Sequence, residues 1–281
     1  MQSKKTSLFK MNRRTKAFVA ITFASSLLIL ITIVGVLIPE EFYETNFSIQ
    51  GQAPSLKYLF GTDFMGRNMF WRTIKGLSIS ICVGLIATFA SSVIAVLLGI
   101  CAGVFGKKVD TAITWVVDLF LSVPHLILQI LICVAFGRGM HGLMIAILLT
   151  HWPTLTRIVR SKVLSLRNSQ FVQESRRLGK KPFWIAINHI TPHVFPNFVV
   201  GLVLLFPHAI MHEASLTFLG FGIPPEIPAI GVILSEAMGY LTTGMWWLAV
   251  FPGLTLLAVV LLFELIGEQL RRLIDPVSGQ E

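Results

Sequence analysis

The chain has 281 residues, 54% of them hydrophobic and only 13% charged, with a formal net charge of +9 and a mean hydropathy of +0.75. A soluble globule draws about a quarter of its residues from the charged types, so the 23 basic and 14 acidic side chains are too few to cover one, and the apolar excess excludes disorder. What remains is a chain that crosses a membrane several times, provided its apolar residues gather into runs of about 20, and they do.

The first run, about Phe18 to Ile38, is uncharged and closed by Pro39. It follows a basic stretch, as a signal peptide does, but it is long enough to span. No small-x-small cleavage site precedes Pro39-Glu40-Glu41, so it reads as an uncleaved first helix. The second span lies within Gly76–Gly106, a 31-residue uncharged stretch. The third is expected as one span over roughly Thr111–Phe136, carrying Asp118, and the fourth over roughly Met140–Thr156, broken by Pro153. The fifth runs from about Val194 to Met211 with Pro196 and Pro207 inside it, and the sixth from about Met245 to Phe263. The implied organisation is a basic tail 1–17, a first span 18–38, an extracytoplasmic segment 39–75, a membrane core 76–268 interrupted by a connection 157–193, and a tail 269–281.

Lys and Arg set the orientation, because they collect in cytoplasmic loops. Alternating the six spans puts 18 of the 23 basic residues on the side of the N-terminus, among them Lys4, Lys5, Lys10, Lys107, Lys108 and the eight of the 157–193 connection. The other side receives Lys57, Arg67, Arg72, Lys75 and Arg138. Both termini and the long connection are therefore expected in the cytoplasm, and the basic balance needs no nucleic-acid partner. Cys82, Cys101 and Cys133 lie inside apolar runs without metal-site spacing and read as small packing residues. Gly99-x3-Gly103 fits close helix packing, and Trp71, Trp246 and Trp247 sit where interface anchors belong.

The connection 157–193 is too long for a turn. Its apolar residues fall at helical intervals (Ile158, Val159, Val163, Leu164 and Leu166, then Phe171, Val172 and Leu178, then Phe183, Trp184 and Ile187) with basic residues between them and Gly179 and Pro182 as punctuation. This predicts short amphipathic helices around a bend. Two readings stay open on that pattern: helices lying on the headgroups, or a docking element for a cytoplasmic partner.

Four segments resemble a known family. Phe171-Val172-Gln173-Glu174-Ser175-Arg176-Arg177-Leu178-Gly179, with Ile190 and Pro192, is similar to the Glu-Ala-Ala loop of ABC-importer permeases. Phe60-Gly61-Thr62-Asp63 with Gly66-Arg67, Glu213-Ala214-Ser215-Leu216-Thr217-Phe218-Leu219-Gly220-Phe221-Gly222, and Phe263 to Arg271 ending in Asp275-Pro276 resemble segments of the dipeptide, oligopeptide and nickel branch. Three residues depart from its pattern: Gln173 stands where the triplet has Glu, Asn68 where Asp is usual, and Trp71 where Ser is usual. The resemblance implies an all-α integral membrane protein of six transmembrane helices, the type I ABC-importer permease fold with a cytoplasmic coupling helix, in a bacterial inner membrane. It implies half of a pore completed by a second permease subunit, two cytoplasmic ATPase subunits that carry ATP and Mg, and an extracytoplasmic solute-binding protein. Gln173, Glu174, Ser175, Leu178 and Gly179 would then meet the ATPase. No cofactor is expected on this chain, since a phosphate-binding loop needs Gly-x4-Gly-Lys-Ser/Thr. The nearest approach, Gly106-Lys107, has Cys101 and Lys108 at the remaining positions.

Polar groups at membrane depth are costly and mark function by default. Asp118, His125, His151, His208, His212 and Glu213 are the candidates for lining a pathway. His208 and His212, four apart, share a helical face; such a pair can share a metal ion or serve interhelical hydrogen bonds, and no third ligand is evident in sequence. With His151-Trp152 they are similar to nickel-importing members of the branch, so the expected substrate is nickel or a related transition metal or chelate, with a di- or oligopeptide as the alternative. His212-Glu213 does not open a His-Glu-x-x-His metalloprotease site, because Leu216 holds the last position. A self-sufficient secondary transporter or channel is the more distant reading, and the internal repeat it usually carries is not evident.

Overall fold

The computed structural model describes residues 13–274, so Lys4, Lys5 and Lys10 and the Asp275-Pro276 pair lie outside the described residues. Among the described residues the regular structure is helical apart from an isolated bridge between Thr62 and Asn68. Five helices are long and apolar enough to cross a membrane.

Helix α1 (Arg13–Leu37) buries Ala17, Ala24, Leu28 and Gly35, a single stripe, against the following long helix and the last one. Its other faces leave Phe18, Phe23, Ile29 and Leu30 more than half exposed. That arrangement reverses a soluble helix and is what lipid as solvent allows. Helix α2 (Met69–Val104) starts at Asn68, whose side-chain oxygen accepts from Phe70 N at 3.1 Å. An Asp at that position would cap in the same way, so this departure from the family pattern costs the fold nothing.

The expected single third span is two helices, α3 (Lys107–Ser122) and α4 (His125–Phe136), bent by 97°. The break falls at Val123–Pro124: Val123 is extended (φ −92°, ψ 136°), as sterics impose on a residue before proline. Counted as one, the pair makes a sixth span. The expected break in the fourth span is absent. Helix α5 (Met140–Arg167) runs through Pro153, whose surroundings bury it on all sides, and neighbouring helices compensate a proline in a membrane helix. Arg157, Arg160 and Lys162 are therefore a helical extension of the span. The rest of the connection is α6 (Gln170–Arg177), α7 (Pro182–Ile185) and a π-helical turn (Ala186–Ile190) that feeds directly into α8 (Thr191–Phe218). Helix α9 (Ile230–Met238), which the sequence reading did not anticipate, packs against α2, α8 and the last helix, α10 (Trp247–Ile274).

Helix α2 packs extensively and closely on α5. A Cβ at Gly103 would lie 2.3 Å from Val163 Cγ1, and one at Gly99 would lie 2.6 Å from Val159 Cγ1. Beside them the Thr156 hydroxyl, which donates to Trp152 O at 2.9 Å, lies 3.2 Å from Ala95 O. At the opposite end a four-residue ion cluster ties the loop before α2 to α9. Arg67 Nε donates to Asp63 Oδ2 at 2.6 Å, and Arg72 NH1 reaches Asp63 Oδ2 at 3.3 Å and Glu236 Oε2 at 2.7 Å. Arg72 and Asp63 are buried, and Trp247 Nε1 donates to Thr62 O at 3.2 Å beside them.

Two outcomes test this packing. Gly103→Val should abolish recovery of folded protein from membranes, and Val163→Ala in the same chain should restore part of it, because the second change removes Cγ1, the nearer of the two Val163 atoms the first collides with. Asp63→Ala should lower the thermal unfolding midpoint of the purified complex by an amount equivalent to about 3 kcal/mol, the usual cost of stripping one partner from a buried ion pair.

Candidate functional site: a short helical hook and a histidine-walled cavity

Helix α6 is short and mostly polar, and only Val172 and Ser175 on it are buried. It ends in a Schellman motif: Lys180 N donates to Ser175 O at 3.1 Å and Gly179 N to Arg176 O at 3.0 Å. That motif needs a left-handed residue after the cap, and Gly179 supplies it at φ +77°. A Cβ at Gly179 would meet nothing within 4 Å, so the requirement there is backbone conformation and not internal space. Leu178, just before it, is 78% exposed, and Phe183 and Trp184 across the bend are exposed as well. Lys180 Nζ sits 4.8 Å from the Trp184 ring centroid. Gln173 and Glu174 face outward, and Gln173 Nε2 donates to Asn168 O at 3.1 Å. The five residues expected at the ATPase contact thus divide into four that are exposed and one, Ser175, that faces the body of the protein.

The second feature lies within the membrane helices. His125 at the start of α4, His151 on α5 and His208 and His212 on α8 line one cavity of about 290 Å³, with Thr150, Thr154 and Leu205. The His125 and His212 ring centroids are 4.5 Å apart, those of His125 and His151 4.9 Å, and those of His151 and His212 5.5 Å. Two rings are held by carbonyls: His125 Nε2 donates to Thr150 O at 3.1 Å and His151 Nδ1 to Ile147 O at 3.0 Å. A carbonyl only accepts, which assigns the proton in each case. Gln129 Nε2 donates to the Thr150 hydroxyl at 3.0 Å, and that hydroxyl donates onward to Ala146 O at 2.8 Å. His208 is exposed on this chain alone. An ionisable side chain at membrane depth faces protein or water, not lipid, so this side of α8 is a covered or water-lined face in the assembled protein.

Sequence reasoning listed six polar residues for this region, and four converge. Asp118 does not: it pairs with Arg157, both half-exposed, on α3 and α5. Glu213 does not line the cavity either. It is fully buried, and its Oε1 accepts from the Thr217 hydroxyl at 3.0 Å, which in turn accepts from Ile223 N at 3.1 Å. Among the described residues no three His, Cys, Asp or Glu side chains form a group that could hold a metal ion. The reading missed Gln129 and Thr150, although Gln129 follows His125 by one helical turn and Thr150 adjoins His151. It also missed His189, whose Nε2 lies 2.9 Å from Ser175 Oγ, and whose four-residue spacing to His193 was a usable signal.

Residues 95–276 match the model of the family described as binding-protein-dependent transport system inner membrane component. The chain is 34% identical over 269 residues to the dipeptide transport system permease protein DppC of Alkalihalophilus pseudofirmus, covering 95% of this chain and 88% of that one. It is 34% identical over 236 residues to the oligopeptide transport system permease protein OppC of Bacillus subtilis, covering 84% and 77%. Among solved structures it is similar to the MetNI methionine ABC transporter in an inward-facing conformation, with a TM-score of 0.60 at 18% identity over 74% of this chain and 98% of that one. At that identity the likeness establishes the fold, that of a type I ABC-importer permease.

Gly179 gives a prediction that separates backbone from bulk. Gly179→Asn, which tolerates the left-handed region, should keep at least half of the wild-type transport. Gly179→Val, which does not, should reduce it more than tenfold with membrane insertion unchanged. Equal uptake by both variants would show that the Schellman geometry is dispensable.

Proposed function

The chain belongs to the family of binding-protein-dependent transport system inner membrane components, and from that premise we propose that it forms one half of the pore of an ATP-driven importer of di- or oligopeptides. The second half is another permease subunit, two cytoplasmic ATPase subunits dock at 173–179, and an extracytoplasmic solute-binding protein delivers the substrate. Both termini face the cytoplasm of a bacterial cell, as the 18-to-5 division of basic residues supports. No nucleotide site is needed on this chain, which is a transport component and not an enzyme.

One observation carries the reading most directly: a short helix, closed by a left-handed glycine, presents Leu178 at 78% exposure beside Phe183 and Trp184. Arg176, Arg177, Lys180 and Lys181 frame that knob. A basic-rimmed apolar knob at the end of a membrane protein fits a cleft in a soluble partner, since apolar anchors in a polar rim are how interfaces gather their binding energy. ATP-driven closure of the partners would then pull α6 and rock the helices it is joined to, a rigid-body transition of the ordinary kind.

For the substrate, the nickel expectation gives way to the peptide alternative. The relatives named above carry peptides by name, and the histidines that prompted nickel form no group of three donors for a metal among the described residues. The same four imidazoles suit a peptide's path. Imidazoles offer both donors and acceptors to amide groups. A pathway must bind weakly enough to release.

Reconstituted with its partner permease, ATPases and binding protein, the chain should support ATP-dependent uptake of a radiolabelled dipeptide that excess nickel does not compete. The joint change His208→Ala with His212→Ala should cut that uptake at least tenfold while the complex still assembles. ATP-driven nickel uptake lost in the same variant would restore the metal reading.

A further inference from the structure

Helix α6 has few buried side chains with which to grip the rest of the protein, so its hold on α8 rests on a small set of contacts. Ser175 is central to them. Its hydroxyl donates to Phe171 O at 2.9 Å, which spends its only proton. The contact of 2.9 Å between Ser175 Oγ and His189 Nε2 must therefore be donated by the imidazole. His189 lies in the π-helical turn that runs without a break into α8, and its backbone carbonyl accepts from His193 Nδ1 at 2.7 Å. The His193 ring stacks on Phe171 of α6 at 5.2 Å, and the Trp184 ring meets His189 edge-on at 5.2 Å. One imidazole thus touches α6 and α7 from the base of the helix that carries His208 and His212. Alanine, which the resembled triplet has at the position of Ser175, cannot accept this bond.

We propose that His189 is a positioning residue for transport: its Nε2–H bond to Ser175 fixes α6 to the base of α8, so that movement of the docking helix is delivered to the cavity. The proposal rests on the reading of α6 as the ATPase-docking element. Without the bond α6 still docks and the motor still turns over, but α8 follows its motion loosely.

The measurement is peptide uptake per ATP hydrolysed, in proteoliposomes holding the complete complex. His189→Phe keeps a ring against Trp184 and Phe171 and removes the donor; it should lower the ratio about five- to tenfold, the scale set by one lost hydrogen bond, with ATP hydrolysis retained. His189→Gln places an amide nitrogen near the position of Nε2 and should restore the ratio to within about twofold, whereas His189→Asn, which ends nearer Nδ1, should not. Ser175→Ala should lower the ratio as His189→Phe does, and the two together should lower it no further, as expected for partners in one interaction. An unchanged ratio in His189→Phe, or equal ratios for the Gln and Asn variants, overturns the proposal and leaves His189 as packing. Crosslinking from Leu178→Cys to the ATPase tests the underlying reading separately. Its absence overturns that reading and the proposal together, while crosslinking with an unchanged ratio overturns the proposal alone.

Discussion

The approach of the α2 backbone to α5 is the contact from which the other arrangements follow. In lipid there is little hydrophobic gain from pairing two apolar helices, so association depends on close van der Waals packing and on bonds between backbones and small side chains. Gly99 and Gly103 take Val159 and Val163 into the space a Cβ would need, and the Thr156 hydroxyl lies 3.2 Å from Ala95 O across the same seam. Held this way, α5 can pass through Pro153 without breaking. It then carries His151 to the cavity at one level and, past Arg160, leads to the hook at another. Cavity and hook are thus fixed to one helix whose position is set by two glycines.

The ion pairs lie towards the ends of this frame, and Glu213, buried within α8, is bonded to Thr217. On one side Asp63, Arg67, Arg72 and Glu236 lock the loop before α2 onto α9. On the other, Asp110 accepts from Arg160 and Asp118 from Arg157, joining α3 to the extension of α5. Between them Thr150, Gln129, His125 and His151 bond to carbonyls and to one another. An ion pair removed from water repays its desolvation only with excellent geometry, whereas hydroxyls and amides are satisfied by nearby carbonyls at lower cost. This division lets a chain with 13% charged residues hold its ends firmly and still keep a polar path within.

The spans, the packing role of Gly99 and Gly103 and the helical character of the 157–193 connection were legible in the sequence because each depends on local composition or period. The bend at Pro124 and the continuity at Pro153 were not. The two prolines look alike in sequence, and what separates them is the surroundings: Pro153 is buried among neighbours that hold the helix together, while the chain at Val123–Pro124 turns by 97°. Helix α9 was missed because nine residues are too few to register as a span; its place comes from Glu236 meeting arginines far away in sequence. The histidine cluster was half legible. Membrane depth marked six polar residues, but only the three-dimensional crossing of α4, α5 and α8 separates the four that meet from Asp118 and Glu213.

Helix α8 connects the two halves of the site, and its composition fits that task. From the π-helical turn at His189 to His208 it rises about 28 Å at the usual 1.5 Å per residue, so a displacement at its base reaches the cavity through one helix and not through a chain of loops. Pro196 and Pro207 lie inside it, each removing one backbone hydrogen bond and marking a place where a long helix can bend. Pro207 directly precedes His208. A pull on the base would then be expressed where the imidazoles sit, as a change in angle between His208–His212 and the rings of His125 and His151, whose own protons are fixed by the carbonyls of α5.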